Sequence, residues 1–440
     1  MKHFVFSLIT LLQVGFLCNA AQVGFNKIGY VANIPDNSFT YNSVAVQPDG
    51  KIVAVGKMVN TTLITRFNSD GSLDQSFNGT GFATNIPNAS FEYRSVAIDG
   101  QGRIIAVGII NDGNESETTL IARFKTNGTL DTTFNPQHGG FITNIPNNSF
   151  GYYSVAIDNQ GRIVVVGRTN NDFENNETHG LIARFNDNGS LDDNFGTNGF
   201  ITNIPNNSFG YYSVAIDNQG RIVVVGRTNN DFENNETHGL IARFTSEGVV
   251  DTTFNPQHGF INIENDINSS WYFSVTIDRQ DKILVVGQKN PLNGVIARFN
   301  DNGSLDQSFN GTGFSTNLPD DSFAYNSVAI DNDGSIIAVG VTAQTRSIII
   351  KFDSNGILDT TFNRQGTPGY LTNVPSNSLE FSNIRIDRQG KIIVAGKTGN
   401  DNGLIARFLS NGVLDAESNW NLQNFRESNN INKVSIGLLG

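Results

Sequence analysis

Carboxylate and imidazole side chains cluster in three long segments of this sequence, residues 109–119, 168–180 and 227–239. The last two segments are identical in sequence, and their candidate binding residues are Asp172, Glu174, Glu177, His179, Asp231, Glu233, Glu236 and His238. Segments longer than a connection requires are usually functional or disordered. Carboxylates attract cations, and adjacent identical copies increase the avidity for a repetitive partner. The segments therefore predict a basic or polymeric partner, and the alternative is a duplicated solvated loop without a function.

An aromatic residue recurs at one position throughout the chain: Tyr41, Tyr93, Tyr152, Tyr211, Tyr272, Tyr325 and Phe381. A second series stands two residues earlier: Phe39, Phe91, Phe150, Phe209 and Phe323. Such rings either stack on a sugar or peptide or pack as core. The core interpretation is favoured for the phenylalanines. For the tyrosines, whose hydroxyl prefers a solvent-accessible position, both interpretations stay open. Tyr93, Tyr152 and Tyr211 are therefore candidate ligand-binding residues.

The sequence offers no established catalytic spacing. It contains neither the metalloenzyme patterns H-x-x-x-H and H-E-x-x-H nor the G-x-S-x-G nucleophile elbow. Residues 331–334 and 186–189 resemble the start of a calcium loop, but the full spacing of that loop is missing. We therefore predict no catalytic residue, no metal site and no cofactor, and we expect the protein not to be an enzyme. The alternative is a catalytic triad whose members come from different repeats.

A cation and an aspartate also recur together. The cations are Arg66, Arg123, Arg184, Arg243, Arg298, Lys351 and Arg407, and the aspartates are Asp74, Asp131, Asp192, Asp251, Asp306, Asp359 and Asp415. These residues form either seven anion sites or a charge-assisted hydrogen bond inside each repeat. Because a residue present in every copy is explained more simply by the repeat than by one site, the structural interpretation is favoured.

The elements that must position these residues come from one unit repeated seven times, and residues 140–185 are identical to residues 199–244. Each unit contains four short strand patterns separated by turn signals, and the second is a continuous apolar run, typical of a strand buried on both faces. A glycine in this strand counts the copies: Gly56, Gly108, Gly167, Gly226, Gly287, Gly340 and Gly396. The spacing of these glycines varies from 52 to 61 residues, which suits propeller blades better than a solenoid. The sequence predicts an all-β fold, a seven-bladed β-propeller of four-stranded antiparallel blades.

SVAVQPDGKIVAVG, residues 43–56, and LITRFNSDGSLDQSF, residues 63–77, recur with changes in every unit. They resemble the delta-60 repeat, a family of uncharacterised β-propeller domains, over residues 29–415. The turn pattern x-x-I-D-x-x-G-x-I is similar, more loosely, to NHL-type propeller blades. The resemblance implies a propeller fold and carries no activity. The sequence departs from it at Asp281, which replaces a turn glycine, and at Asn383 and Arg385, which replace Ser and Ala or Thr.

The ring is expected to close through the beginning of the chain. The last unit ends at Phe408 without a fourth strand, whereas residues 30–35 have the pattern of a fourth strand that no unit precedes. Closing the ring removes open strand edges, which are aggregation hazards. We therefore predict that an N-terminal outer strand, residues 29–35, pairs with residues 404–408. A competing strand pattern lies at residues 433–438.

The first twenty residues have the pattern of a secretory signal: Lys2, an apolar stretch from 4 to 17, and small residues up to Ala20. The predicted domains are a signal peptide at 1–20, the propeller at 21–415 and a C-terminal tail at 416–440. Cys18 is the only cysteine, and no later apolar run is long enough to span a membrane. The predicted location is secreted, periplasmic or at the cell surface.

The net charge of −12 and the isoelectric point of about 4.9 argue against nucleic acid and anionic membranes as partners. The sequence predicts a monomeric binding or scaffold propeller without catalytic activity, whose partner is a protein or polysaccharide at the cell surface. The alternatives are an enzyme of the lactonase or lyase type, with a site in the central channel, and a purely structural repeat protein. Such an enzyme requires acidic or histidine residues in the first strand of only some blades, and that strand is nearly uniform.

Overall fold

The computed structural model describes residues 25–59, 61–86, 90–111, 117–146, 149–172, 177–202, 204, 208–228, 238–255, 259–262, 270–289, 293–316, 322–364 and 366–416. The predicted signal peptide and the competing strand at 433–438 lie outside these residues. Within them the chain forms twenty-eight strands and one turn of 3-10 helix, Pro136–His138. In chain order, the strands are β1 (Tyr30–Ala32), β2 (Ser38–Val46), β3 (Ile52–Met58), β4 (Thr61–Phe67), β5 (Phe82–Thr84), β6 (Ser90–Ile98), β7 (Ile104–Asn111), β8 (Glu117–Phe124), β9 (Phe141–Thr143), β10 (Ser149–Ile157), β11 (Ile163–Asp172), β12 (Glu177–Phe185), β13 (Phe200–Thr202), β14 (Ser208–Ile216), β15 (Ile222–Thr228), β16 (Gly239–Phe244), β17 (Phe260–Asn262), β18 (Ser270–Ile277), β19 (Ile283–Lys289), β20 (Asn293–Phe299), β21 (Phe314–Thr316), β22 (Ser322–Ile330), β23 (Ile336–Thr342), β24 (Ser347–Phe352), β25 (Tyr370–Thr372), β26 (Ser378–Ile386), β27 (Ile392–Thr398) and β28 (Gly403–Phe408).

These strands form seven antiparallel sheets of four strands, the blades of a propeller. Blades 1 to 6 are β2–β5, β6–β9, β10–β13, β14–β17, β18–β21 and β22–β25, and blade 7 is β26–β28 with β1. The first strand of each blade lines a central channel, and consecutive blades contact each other around the ring. This architecture confirms the predicted fold.

The first strand of the chain closes the ring, as the sequence predicts. Tyr30–Ala32 of β1 pair in antiparallel register with Leu404–Ala406 of β28. The main-chain N–H of Arg407 also donates to the carbonyl of Gly29 at 2.9 Å. The strand is three residues long, shorter than the predicted 29–35. Because β28 is paired with β27 on its other edge, both of its edges are satisfied.

The hydrophobic core lies between neighbouring blades. In β11, Val164 and Val166 pack with Tyr211 of the next blade, whereas Val165 packs with Ile105 of the previous blade. Successive side chains of a strand point to opposite faces of the sheet, so one apolar run serves two interfaces. The prediction that the second strand of each unit is buried on both faces is confirmed.

An arginine in the third strand of six blades holds its blade to the next. In blade 3, Arg184 Nε donates to Asp192 Oδ2 at 2.8 Å, and Arg184 Nη1 donates to the carbonyl of Ser246 in blade 4. The equivalent ion pairs, at 2.6–2.8 Å, are Arg66–Asp74, Arg123–Asp131, Arg243–Asp251, Arg298–Asp306 and Arg407–Asp415. In blade 6, Lys351 Nζ lies 3.6 Å from Asp359. The recurrent pairs are structural, which is the interpretation that the sequence favoured.

Candidate ligand site at the mouth of the central channel

The first strand of every blade contains a β-bulge directly after the recurrent aromatic residue. In blade 3, Tyr152 pairs with Gly167 and Ser154 pairs with Val166, so the ladder skips Tyr153. The seven skipped residues are Asn42, Arg94, Tyr153, Tyr212, Phe273, Asn326 and Ser382. Bulges re-aim side chains, and all seven of these side chains line the channel. We name this ring of seven residues the channel mouth.

The glycine of the second strand permits the close approach at the bulge. A Cβ atom on Gly167 would lie 2.0 Å from the carbonyl oxygen of Gly151 in β10. The corresponding distance is 1.8–2.0 Å in all seven blades. Because no side chain fits in that space, the glycine that counts the repeats in the sequence also shapes the channel mouth.

Three residues of the channel mouth form an aromatic arc, which we define as Tyr153, Tyr212 and Phe273 of blades 3, 4 and 5. The ring centroids of Tyr153 and Tyr212 are 5.6 Å apart, and those of Tyr212 and Phe273 are 6.2 Å apart. The guanidinium carbon of Arg94, in blade 2, lies 4.6 Å from the Tyr153 centroid, and Arg94 Nε donates to Glu92 at 2.9 Å. These spacings are typical of aromatic pairs and cation–π contacts. One side of the mouth is therefore a continuous aromatic surface next to a cation.

The opposite side of the channel mouth is polar. Asn42 in blade 1 donates from Nδ2 to the carbonyl of Tyr93 in blade 2 at 2.8 Å. Asn326 in blade 6 donates from Nδ2 to the carbonyl of Phe381 in blade 7 at 3.1 Å, and Ser382 completes this side. The two amides are thus held in place by the neighbouring blade, so the mouth combines an aromatic wall with fixed hydrogen-bonding groups.

Below the mouth, the first strands enclose a cavity of about 520 Å³. The next ring is serine in six blades and asparagine in blade 7, and several of these side chains join neighbouring first strands. Ser154 Oγ accepts from the main-chain N–H of Val214 at 3.4 Å, and Asn383 Oδ1 accepts from that of Val44 at 3.2 Å. Two residues further along the strands stand Ala45, Ala97, Ala156, Ala215, Thr276, Ala329 and Arg385. Arg385 is the one charged member of this ring.

A second set of aromatic rings lies outside the mouth, where the first strands begin, and cations lie between neighbouring rings. Measured to the ring centroids, Lys57 is 5.8 and 3.9 Å from Phe39 and Phe91, Arg168 is 5.6 and 5.8 Å from Phe150 and Phe209, and Arg227 is 4.2 and 4.5 Å from Phe209 and Trp271. Phe39 is 39% exposed and Trp271 is 36% exposed. The aromatic surface of the mouth thus continues onto the rim.

The structure corrects the expected placement of the two aromatic series. Tyr93, Tyr152 and Tyr211 are fully buried between blades. The hydroxyls of Tyr93 and Tyr152 donate to the carbonyls of Ile86 and Ile145, so they need no wet edge, and burial raises the pKa of both. Phe39, Phe91, Phe150 and Phe209, which were expected in the core, lie instead on the rim, and the side chain of Phe323 is outside the described part of the structure. As placed, the three candidate tyrosines support the blade and present no surface to a ligand.

The long segments were expected to be loops, and part of them is strand instead. In blade 3 the hairpin of β11 and β12 continues through the pairs Thr169–His179 and Asp172–Glu177, and the side chain of His179 is buried. In blade 4 the main-chain N–H of His238 donates to Thr228 Oγ1 at 3.1 Å. The candidate residues Glu174, Asp231, Glu233 and Glu236 lie outside the described residues. Because blades 2, 3 and 4 are consecutive, the three segments belong to one sector of the ring.

Sequence reasoning missed the aromatic arc and Arg94. Its signal was present, since the residue after the recurrent tyrosine differs from blade to blade while the strand that follows is nearly uniform. The sequence alone does not reveal that this residue faces the channel, because the bulge that turns it inward is visible only in the structure.

Two absences hold for the described part of the chain. There, no three His, Cys, Asp or Glu side chains come together in a way that could hold a metal ion. No helix there is long and apolar enough to cross a membrane.

The sequence matches a family described as a domain of unknown function, the DUF5122 beta-propeller, over residues 47–77, 102–134, 161–195, 220–254, 281–309, 332–362 and 390–417. The matched segments cover about half of the chain, one for each blade, and the chain belongs to this family. The match agrees with the resemblance to an uncharacterised propeller family, and the narrower name delta-60 stays a prediction. No curated protein matches the sequence.

Solved structures with a similar fold include virginiamycin B lyase from Staphylococcus aureus. A catalytically inactive variant with quinupristin has a TM-score of 0.54 at 13% identity, covering 86% of this chain and 99% of that chain. The selenomethionine-substituted lyase has a TM-score of 0.51 at 14% identity, covering 86% and 98%. The WD40 beta-propeller domain of Doa1 has a TM-score of 0.48 at 11% identity, covering 88% and 99%. At these identities the similarity shows the propeller fold alone.

Proposed function

We propose that this member of the DUF5122 family is a secreted, non-catalytic binding module whose ligand is a polysaccharide held at the channel mouth. The observation that carries the proposal is the aromatic arc, Tyr153, Tyr212 and Phe273, on one side of a concave ring whose other side is polar. Ligand sites are typically concave, lined by aromatic side chains and oriented by a few fixed polar groups.

A sugar chain suits this combination. The apolar face of a pyranose ring can lie on the exposed surface of an aromatic side chain, while its hydroxyls reach amides such as Asn42 and Asn326 on the opposite side. The rim aromatics Phe209 and Trp271 extend the stacking surface beyond the mouth. A polymer is therefore favoured over a single small molecule, because successive sugar units can stack on successive aromatic side chains.

The residues of the channel also support the non-catalytic part of the proposal. General acid–base catalysis needs a group whose pKa lies near the working pH. Among the described residues that line the channel, Tyr153 and Tyr212 are the ionisable side chains other than arginine. Two carboxylates lie next to the mouth, and both are held by mouth residues: Glu92 by Arg94 and Glu380 by Asn326. Burial raises the pKa of Tyr212 above its ordinary value, so this phenol is a poor proton acceptor near neutral pH.

The proposal is tested by binding of the purified protein to an array of neutral and acidic glycans, followed by titration with the glycans that bind. Replacing both Tyr153 and Tyr212 by alanine should weaken binding about tenfold or more. The matched control is Val249→Ala, at an exposed position after β16, which should bind like the unchanged protein. Equal affinity of the double variant, or the absence of any glycan bound by the unchanged protein, contradicts the proposal.

Two parts of the proposal need their own readouts. Secretion is tested by cell fractionation and by determining the N-terminal residue of the exported protein, which should follow Ala20. The non-catalytic character is tested by incubating a bound glycan with the protein and measuring its chain length. A shortened glycan would favour the alternative, an enzyme with its site in the channel.

A further inference from the structure

One cation in the channel makes no ion pair among the described residues. Arg385 occupies a position of β26 where blades 1 to 4 and blade 6 have alanine and blade 5 has threonine. Its described hydrogen bond runs from Nη1 to the carbonyl of the preceding residue, Ile384, at 2.8 Å. No carboxylate lies within 4 Å of its guanidinium in the described part of the chain.

Arg385 is half-buried in the channel, and its surroundings offer no compensation for its charge. The described residues that line the channel are serine, asparagine, threonine, arginine, aromatic and aliphatic side chains, without an Asp or Glu among them. A charge removed from bulk water without a counter-charge destabilises the folded state. The same desolvation lowers the pKa of Arg385, and no opposing charge compensates for it.

The arginines of the third strands show what a structural arginine looks like in this protein. Arg184 is buried, and it contacts Asp192 and the main chain of Ser246 in the next blade. The hydrogen bond described for Arg385 stays within its own strand. Because alanine serves at the same position in five other blades, the blade itself does not require the guanidinium.

We propose that Arg385 is an anion anchor, and that the ligand of the channel is an acidic sugar chain whose carboxylate or sulfate group binds this guanidinium. The inference rests on the proposed function and deepens it by naming the ligand class. Arg385 follows the mouth residue Ser382 by three positions, which places it at most about 10 Å deeper along the strand. A glycan that stacks on the aromatic arc can therefore direct one acidic group into the channel. An arginine suits either oxyanion, because its planar guanidinium can bind both oxygens of the group at once.

The test uses D-glucuronate, D-glucose 6-sulfate and D-glucose as probes, which separate a carboxylate, a sulfate and a neutral ring. Each is titrated by calorimetry at one ionic strength into the unchanged protein and into the Arg385→Ala and Arg385→Lys variants. We expect one or both acidic probes to bind the unchanged protein, and Arg385→Ala to lose about tenfold or more in affinity. Arg385→Lys should retain part of the affinity, and D-glucose should show no difference among the three proteins.

A stability measurement separates this role from a structural one. Since Arg385→Ala restores the residue of the other blades and removes an uncompensated cation, its melting temperature should equal or exceed that of the unchanged protein. A lower melting temperature, or equal affinity of the unchanged protein and Arg385→Ala for both acidic probes, overturns the proposal.

The two proposals fail in different ways. If the double Tyr153 and Tyr212 variant loses a glycan that Arg385→Ala still binds normally, the glycan site stands and the anchor is wrong. If the acidic probes bind through Arg385 while no glycan of the array is bound, the anion site stands and the polysaccharide proposal is wrong.

Discussion

Arg407, in the last blade, donates a hydrogen bond to the main-chain carbonyl of Ser69, in the first blade. The same guanidinium holds Asp415 Oδ2 at 2.6 Å. One side chain therefore joins the two ends of the ring, next to the point where β1 completes blade 7. The equivalent contact of Arg184 with Ser246 shows that the junction of the chain ends uses the same arginine contact as the interior junctions of blades 1 to 6.

Removing this lock should destabilise the ring. The Arg407→Ala substitution removes one of the two cations that hold the buried Asp415 and leaves Lys391 at 2.9 Å, so the expected cost is that of one charged hydrogen bond, about 1.5–3 kcal/mol. The control is Lys397→Ala, which breaks an exposed pair with Asp401 at 3.6 Å and should cost about 0–1 kcal/mol. Urea unfolding followed by circular dichroism measures both. Similar effects of the two substitutions on the free energy of unfolding would show that the buried pair contributes no more to stability than the exposed pair.

The same pairs should make the protein sensitive to acid. Burial opposes ionisation of Asp131, but hydrogen bonds from Thr133 and the charge of Arg123 outweigh it and hold the pKa of Asp131 below its ordinary value. A carboxyl with a depressed folded-state pKa stabilises the protein above its unfolded pKa of about 3.9, and this stability is lost as the pH falls below that value. The melting temperature should therefore drop steeply below about pH 4. The Asp131→Asn variant, already weakened at neutral pH, should show a shallower drop, and an equally steep one would contradict the assignment.

Closure by β1 predicts that the beginning of the chain is essential to the whole propeller. Deleting residues 21–36 removes the outer strand of blade 7 and should lower the melting temperature of the entire protein. Deleting residues 417–440 is the matched control, since it removes the competing strand pattern at 433–438 and should leave the melting temperature unchanged. If the first deletion is harmless and the second is not, the closing strand has been assigned to the wrong end.

The fold is expected to be independent of metal ions, because the sequence lacks complete ligand sets. Excess chelator should change neither the far-ultraviolet circular dichroism spectrum nor the melting temperature. The turn at residues 331–334 is the place to examine if it does, since its Asp and Asn residues resemble the start of a calcium loop. A melting temperature that falls on chelation and recovers with calcium would overturn this expectation.

The blades could be predicted from the sequence because burial on both faces requires a continuous apolar run in the second strand of each unit. Val164, Val165 and Val166 must all be apolar when a strand has a blade on each side. The site could not be predicted in this way. Period-two alternation gives Phe150 and Tyr152 the same environment, but the register shifts between Ser149 and Gly151 and again at Tyr153. These shifts place the phenylalanine on the rim, the tyrosine in the core and Tyr153 in the channel.

The acidic segments of blades 3 and 4 permit a test that separates the two candidate binding surfaces. Asp172, Glu174, Glu177, Asp231, Glu233 and Glu236 are replaced together by Asn and Gln. If these segments form the site for a basic partner, binding of that partner is abolished. If an acidic glycan binds at the channel mouth, the change removes repulsive charges from the same sector of the ring. Its affinity should then increase at low ionic strength, with less difference at high salt, because salt screens exposed charges beyond about 10 Å at 0.1 M.

We expect this increase in the affinity for an acidic glycan. Glycan titrations of the unchanged and neutralised proteins at two salt concentrations measure it, and loss of glycan binding in the neutralised protein would place the site on the segments instead.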